Sequence, residues 1–166
     1  GLSVGDDAQR VARNRAIIRR VLPAEPVWLK QVHGSTVIDA ETAEQGSEAD
    51  AAIARTAGTV CAVLTADCVP VLVCDRAGGV AGVVHAGWRG LAAGILQAAL
   101  RRMDIPPRHV LAYLGPGIGP QAYEVGEDMR ERFVSMDAKM SAAFSPRANG
   151  KFLADLYRIA RRQLAE

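Results

Sequence analysis

Residues 59–74, TVCAVLTADCVPVLVC, are almost wholly apolar at the two ends of the stretch and turn polar in its middle, at Thr65, Asp67 and Cys68. Two buried strands meeting at a polar point satisfy that pattern, and buried strands oblige the rest of the chain to cover them. Asp75, Gly78 and Gly79 then supply a turn. The next segment, GVAGVVHA, reads as another strand whose small residues let neighbouring backbones approach closely. Only 5% of the residues are aromatic against 49% hydrophobic overall, so the core must come from Ala, Val, Leu and Ile.

The segments on either side supply the cover. Asp6 and Asp7 precede Val11, Ile17, Ile18, Val21 and Leu22, an acidic first turn followed by an amphipathic helical pattern that stops before Pro23. Its arginines, Arg10, Arg13, Arg15, Arg19 and Arg20, read as a solvated face. Residues 27–38, VWLKQVHGSTVI, alternate about Gly34 as two strands joined at a turn would, with His33 at the turn. GWRG opens a helix continued by Leu91, Ile95, Leu96, Ala99, Leu100 and Met103 and ended by Pro106 and Pro107. Residues 109–114 form a further strand running into GPGIGP at 115–120. A helical stretch contains Glu127, Met129 and Phe133, and Leu153, Leu156, Ile159 and Leu164 mark a last helix. Strands interleaved with helices and including hairpin-like pairs predict a single α/β (α+β) domain with mixed β-sheets covered by helices.

Charge narrows the partners. Twenty Lys and Arg against 18 Asp and Glu leave +2, which gives no electrostatic reason for a nucleic-acid or acidic-membrane partner. No apolar run approaches the roughly 18 residues of a membrane span. The three cysteines, Cys61, Cys68 and Cys74, sit in one apolar segment, as buried or liganding thiols do, and predict a reducing, cytoplasmic setting.

Three residues that can bind a metal fall at strand ends: His33 in KQVHGS, Cys68 in TADCVP and His85 in VVHAGWRG. Two imidazoles and a thiolate suit zinc, and three protein ligands with an open fourth position make the catalytic type of site. The spacing is unlike that of any zinc finger, so it leaves ligation open beside hydrogen-bonded structural histidines and a core cysteine. Asp67 either orients the site through backbone amides or moves a proton. Arg89, at the strand-to-helix turn, suits phosphate or forms a structural salt bridge. GPGIGP lacks the Lys-Ser/Thr of a P-loop and reads as a pocket wall through Gly117.

KQVHG at 30–34, LTADCVPVLVCD at 64–75, HAGWRG at 85–90 and LGPGIGPQAYEVG at 114–126 resemble, in order, the signatures of the laccase-domain family, also called YfiH-like or multicopper polyphenol oxidase-like. The resemblance implies a layered α/β/β/α fold and a zinc site made by His33, Cys68 and His85, with copper as a possible substitute. It implies phosphorolysis of adenosine, inosine and methylthioadenosine and deamination of adenosine, so the partners are a purine nucleoside and phosphate. Asp67 and Arg89 are the catalytic candidates; Gln31, Arg89 and Gly117 are candidates for contacts to substrate and phosphate. A laccase needs several coppers and many histidines, and this chain has three histidines. Two other readings stand beside the nucleoside one: a metal-free cysteine hydrolase or amidase with Cys68 as nucleophile and a histidine as base, and a peptidoglycan-editing factor. Gln121 departs from the family pattern, which has a cysteine after GPxIGP. The pattern also extends past both ends, so residues 1–166 are expected to be the family core without its N- and C-terminal flanks.

Overall fold

The computed structural model describes residues 1–165. The apolar centre of the sequence becomes the centre of a five-stranded sheet. β5 (Val69–Asp75) pairs antiparallel with β6 (Ala81–Ala86), joined by the turn at 75–79. On the far side of β6 lies β3 (Ala51–Ala54), antiparallel, and then β2 (Val37–Asp39), parallel to β3. β7 (Val110–Leu114) closes the other edge against β5, giving the order β2-β3-β6-β5-β7.

One face of this sheet carries Val69, Val71, Val73, Val84 and Ala86, all buried in the main core. Against it pack α2 (Trp88–Ala92), α3 (Ile95–Met103) and α5 (Leu156–Leu164) through Leu91, Leu96, Ala99, Met103, Leu156 and Ile159. α4 (Glu127–Met136) adds Met129 and Phe133 to the same core. Asp155 caps α5 by accepting a 2.9 Å bond from the Arg158 amide. Over part of the other face lies a short parallel pair, β1 (Val27–Trp28) and β4 (Cys61–Ala62), with a second small core at Val27, Ala40, Ala52 and Ala54. α1 (Ala8–Arg19) lies outside that pair and places Arg15 over the Trp28 ring at 4.2 Å. These are α/β/β/α layers with mixed sheets, as the sequence and the family resemblance imply.

Several elements differ from expectation for definable reasons. Residues 27–38 do not form a hairpin: β1 and β2 join different sheets, and His33 between them has a left-handed backbone, φ 60°. In residues 59–74 the first strand shrinks to the two half-buried residues of β4. β3 carries no strand signal in the sequence, because alanine is a poor strand former, yet all four of its residues are buried. The helix expected from GWRG to Met103 is two helices, since the chain turns left-handed at Gly94, φ 80°. Leu153 belongs not to the last helix but to β10 (Phe152–Ala154), which joins β8 (Glu124–Val125) and β9 (Phe144–Pro146) in a three-stranded sheet. α1 forms under its Asp7 cap but buries none of its residues, and Ile17 remains 53% exposed.

Candidate metal centre

The register of β5 and β6 builds the site. Val69 pairs with Ala86, so the position beyond the ladder sets Cys68 opposite Gly87, while His85, paired with Pro70, sits just inside it. The third residue arrives from a different layer: His33 lies on the loop leaving β1, and its ring meets that of His85 edge-on with centroids 4.6 Å apart. The donor atoms of His33, Cys68 and His85 all lie within 4.8 Å of one another. That is close to the span one ion bridges with bonds of about 2.0–2.3 Å. Of these residues His85 is buried, Cys68 half-buried and His33 exposed, so the cluster opens to solvent on one side.

The cradle fits the donors. A Cβ on Gly87 would lie 2.8 Å from Cys68 Sγ and 3.0 Å from His33 Cδ2, so a side chain there would intrude among the ligands. Burial, reinforced by the Asp67 and Asp50 carboxylates, pushes the Cys68 thiol above its usual range. Burial and the neighbouring His85 and Arg89 push His33 below 6.5, against the pull of Asp50. A neutral imidazole is the ligating form. A thiol held protonated is a poor free nucleophile but still gives up its proton to a bound cation.

The candidates from sequence are distributed around this cluster. Arg89 is exposed, stacks on Trp88 at 4.8 Å and lies close enough for its charge to act on His33. Asp67 is also exposed, so the burial that would demand hydrogen-bond partners for its carboxylate does not arise. Its carbonyl instead accepts a 2.7 Å bond from the Ile118 amide. Gln31 spends both ends of its side-chain amide on Leu64, donating to the carbonyl at 2.8 Å and accepting from the amide at 2.7 Å. It thereby ties the His33 loop to the segment carrying Cys68. Gly117 lies against backbone: a Cβ there would meet the carbonyl oxygens of Asp67 and Cys68 at 3.0 and 3.1 Å. The GPGIGP loop is thus a wall laid on the Cys68 turn, anchored behind by the Tyr157 hydroxyl donating to the Gly115 carbonyl at 2.9 Å.

Two residues of the site carry no motif of their own in the sequence. Asp50 is fully buried, accepts from the amides of Val32 (3.2 Å), His33 (2.9 Å) and Gly34 (2.7 Å), and lies at hydrogen-bond distance, 2.8 Å, from His85 Nδ1. The amide-binding carboxylate sought at Asp67 exists, but it is Asp50. A lone Asp before an alanine run gives no motif, and its signal lies in the cost of burying a carboxylate beside a strand. Tyr123 is half-buried, its hydroxyl kept neutral by burial and by the charges of Cys68 and Asp67, with Arg89 opposing.

Known proteins resemble this chain along nearly its whole length. The family described as multi-copper polyphenol oxidoreductase laccase matches residues 1–166. The purine nucleoside phosphorylase YfiH of Escherichia coli (strain K12) is 48% identical over 168 residues, covering 99% of this chain and 69% of that protein. A purine nucleoside phosphorylase of Pseudomonas aeruginosa is 46% identical over 165 residues, covering 99% of this chain and 68% of that protein. Among solved structures, a Neisseria meningitidis protein superposes with a TM-score of 0.95 at 45% identity, over 99% of this chain and 69% of its own. YlmD from Geobacillus stearothermophilus gives 0.90 at 28% identity, over 99% and 68%.

Proposed function

The chain belongs to the multi-copper polyphenol oxidoreductase laccase family, and from that premise we propose that it is a zinc-dependent purine nucleoside enzyme. Its reactions are phosphorolysis of adenosine, inosine or methylthioadenosine, and deamination of adenosine. The observation that carries this reading is the convergence of His33, Cys68 and His85 at one solvent-open rim, with Arg89 beside them. The relatives named purine nucleoside phosphorylase support the substrate class.

The donor set of two imidazoles and a thiolate fits zinc, and copper is a possible substitute at the same ligands. When bound, the ion supplies Lewis-acid charge stabilisation. In phosphorolysis a phosphate oxygen bonds to C1′ of the sugar as the bond from C1′ to purine N9 breaks, and the departing base takes up a proton. Arg89 holds the phosphate: its fork of N–H donors matches the oxygens, and stacking on Trp88 limits the positions it can take. Asp67, on the rim next to Cys68, handles the proton exchanged with the purine ring. Tyr123, whose neutral hydroxyl feels the charges of Cys68, Asp67 and Arg89, is a further hydrogen-bond donor for the substrate. Gln31 and Gly117 fix the two loops between which the nucleoside lies, the first through its clamp on Leu64 and the second by permitting close backbone approach. A purine nucleoside and phosphate are the partners proposed, on the strength of the relatives named purine nucleoside phosphorylase.

A raised thiol pKa argues against Cys68 as a metal-free nucleophile. His33, Cys68 and His85, the one three-ligand cluster found among the described residues, make a centre for a single ion rather than a relay of several coppers. The test is incubation of the zinc-loaded protein with adenosine, with and without phosphate, followed by chromatography. Phosphate-dependent adenine together with ribose 1-phosphate is the expected result. Inosine alone would leave only the deaminase half of the reading, and neither product would overturn it.

A further inference from the structure

Asp50 supplies no ligand atom, yet its carboxylate touches both segments that carry the histidines. We propose that Asp50 is a positioning residue that prepares both imidazoles for the metal: it selects the proton position on His85 and pins the left-handed loop that presents His33. This inference rests on the zinc reading above and concerns a step that precedes catalysis.

The two carboxylate oxygens divide the labour. Oδ1 accepts from His33 N at 2.9 Å and faces His85 Nδ1 at 2.8 Å. Oδ2 accepts from Gly34 N at 2.7 Å and from Val32 N at 3.2 Å. An ionised carboxylate offers only acceptors, so the imidazole nitrogen facing it must carry the proton. In the neutral ring that leaves His85 Nε2 unprotonated, the form a metal requires. The backbone reinforces the alignment, because the His85 amide also donates to the Asp50 carbonyl at 2.7 Å, so ring and main chain of His85 are held by one residue.

His33 is held through its backbone. A non-glycine residue at φ 60° is disfavoured by contacts between its Cβ and its own backbone, so holding it there costs free energy. Three successive amides, from Val32 through Gly34, converge on Asp50 in a nest of N–H groups around one anion. That nest offsets the strain and fixes the direction in which the His33 ring leaves the loop. Asp50 thus links the β3 end, the β6 ligand and the β1 loop ligand, and a full burial of its side chain excludes water that could substitute for it.

Asparagine nearly preserves the shape of Asp50 but not its chemistry. One of its two terminal atoms becomes an NH2 donor, so whichever way it turns, two of the four N–H groups lose their acceptor. If the NH2 faces His85, the ring is driven to carry its proton on Nε2 and cannot ligate. The experiment measures zinc dissociation constants by competition with a chromophoric chelator for wild type, Asp50→Asn and Asp50→Glu. It is run well below the unfolding temperature of each metal-free protein, so that only folded molecules are compared. Weakening of roughly 10- to 100-fold in Asp50→Asn, with partial recovery in Asp50→Glu, is expected for a partner behind the ligands. A folded Asp50→Asn with the wild-type dissociation constant would overturn the proposal and leave Asp50 a purely structural residue. Nitrogen-15 NMR of the metal-free wild type provides a readout independent of whether the variants fold. A hydrogen-bonded proton on His85 Nδ1 and none on Nε2 is expected, and a proton on Nε2 would overturn the assignment. Failure of the wild type to bind zinc would instead refute the zinc reading, a result the NMR measurement does not share.

Discussion

Gly87→Ala asks whether the rim at Cys68 is shaped for an ion. Gly87 has φ −77° and ψ 162°, a backbone any residue adopts, so the substitution adds no conformational strain. Its methyl group, however, would sit 2.8 Å from Cys68 Sγ and 3.0 Å from His33 Cδ2. Ordinary contacts lie at about 3.5–4.0 Å, so one ligand or both must retreat by about 1 Å. Metal bonds tolerate displacements of only about 0.2 Å. The displaced donor is therefore lost to the ion, and zinc affinity should fall on the order of 100-fold, about 2.7 kcal/mol. Replacing glycine by alanine at the N-cap of α2 costs in addition roughly 0.5–1 kcal/mol of stability, a fall in Tm of about 1–4 °C. Chelator competition measures the first quantity and thermal unfolding of the metal-free protein the second. Gly119→Ala is the control, since nothing lies within 4 Å of a Cβ there, and it should bind zinc as the wild type does. A Gly87→Ala protein that binds zinc with unchanged affinity would refute the geometric reasoning.

Other outcomes follow from the same contacts. Cys68→Ser should lose enough zinc affinity to purify with less than one equivalent of metal, while remaining folded and loadable at high zinc concentration, as checked by elemental analysis and circular dichroism. Because the Cys68 thiol is held protonated, zinc uptake at pH 7.5 should release a proton from it, and His33, already neutral there, should release none. Calorimetry in buffers of different ionisation enthalpy, comparing wild type with Cys68→Ser, measures that release. The lowered His33 pKa means that the unfolded chain binds more protons than the folded one in acid. Its contribution to metal-free stability is therefore present above pH 6.5 and lost as pH falls through 6.5 toward the folded value, a trend that melting curves between pH 7.5 and 5 would show. Phe133→Ala empties a fully buried position beside Phe144 and should cost about 3–5 kcal/mol in denaturant unfolding.

The sequence pattern made the centre of the fold legible because residues 69–86 announce themselves twice, once by apolar content and once by turn residues. Beyond that centre, pattern alone misleads in two ways. Alanine is silent about secondary structure, so β3 with its four buried residues passes unnoticed although it lies between β2 and β6. Short strands borrow their partners from far along the chain: β1 has the same alternation whether it pairs with β2 or, as it does, with β4. The three ligand candidates were visible as residue types at strand ends, but only the register of β5 against β6 and the left-handed turn at His33 bring them together. Asp50 was invisible for the opposite reason. Its importance lies in its hydrogen bonds, which no spacing encodes, and the neighbouring Asp67 offered a more conspicuous motif for the same role.

X-ray absorption at the zinc edge, on protein loaded with one equivalent of zinc, tests most directly whether His33, Cys68 and His85 form one metal centre. One sulfur at about 2.3 Å and two imidazole nitrogens at about 2.0–2.1 Å are the predicted shell, the sulfur disappearing in Cys68→Ser. A shell without sulfur in the wild type, or one unchanged by Cys68→Ser, would contradict it.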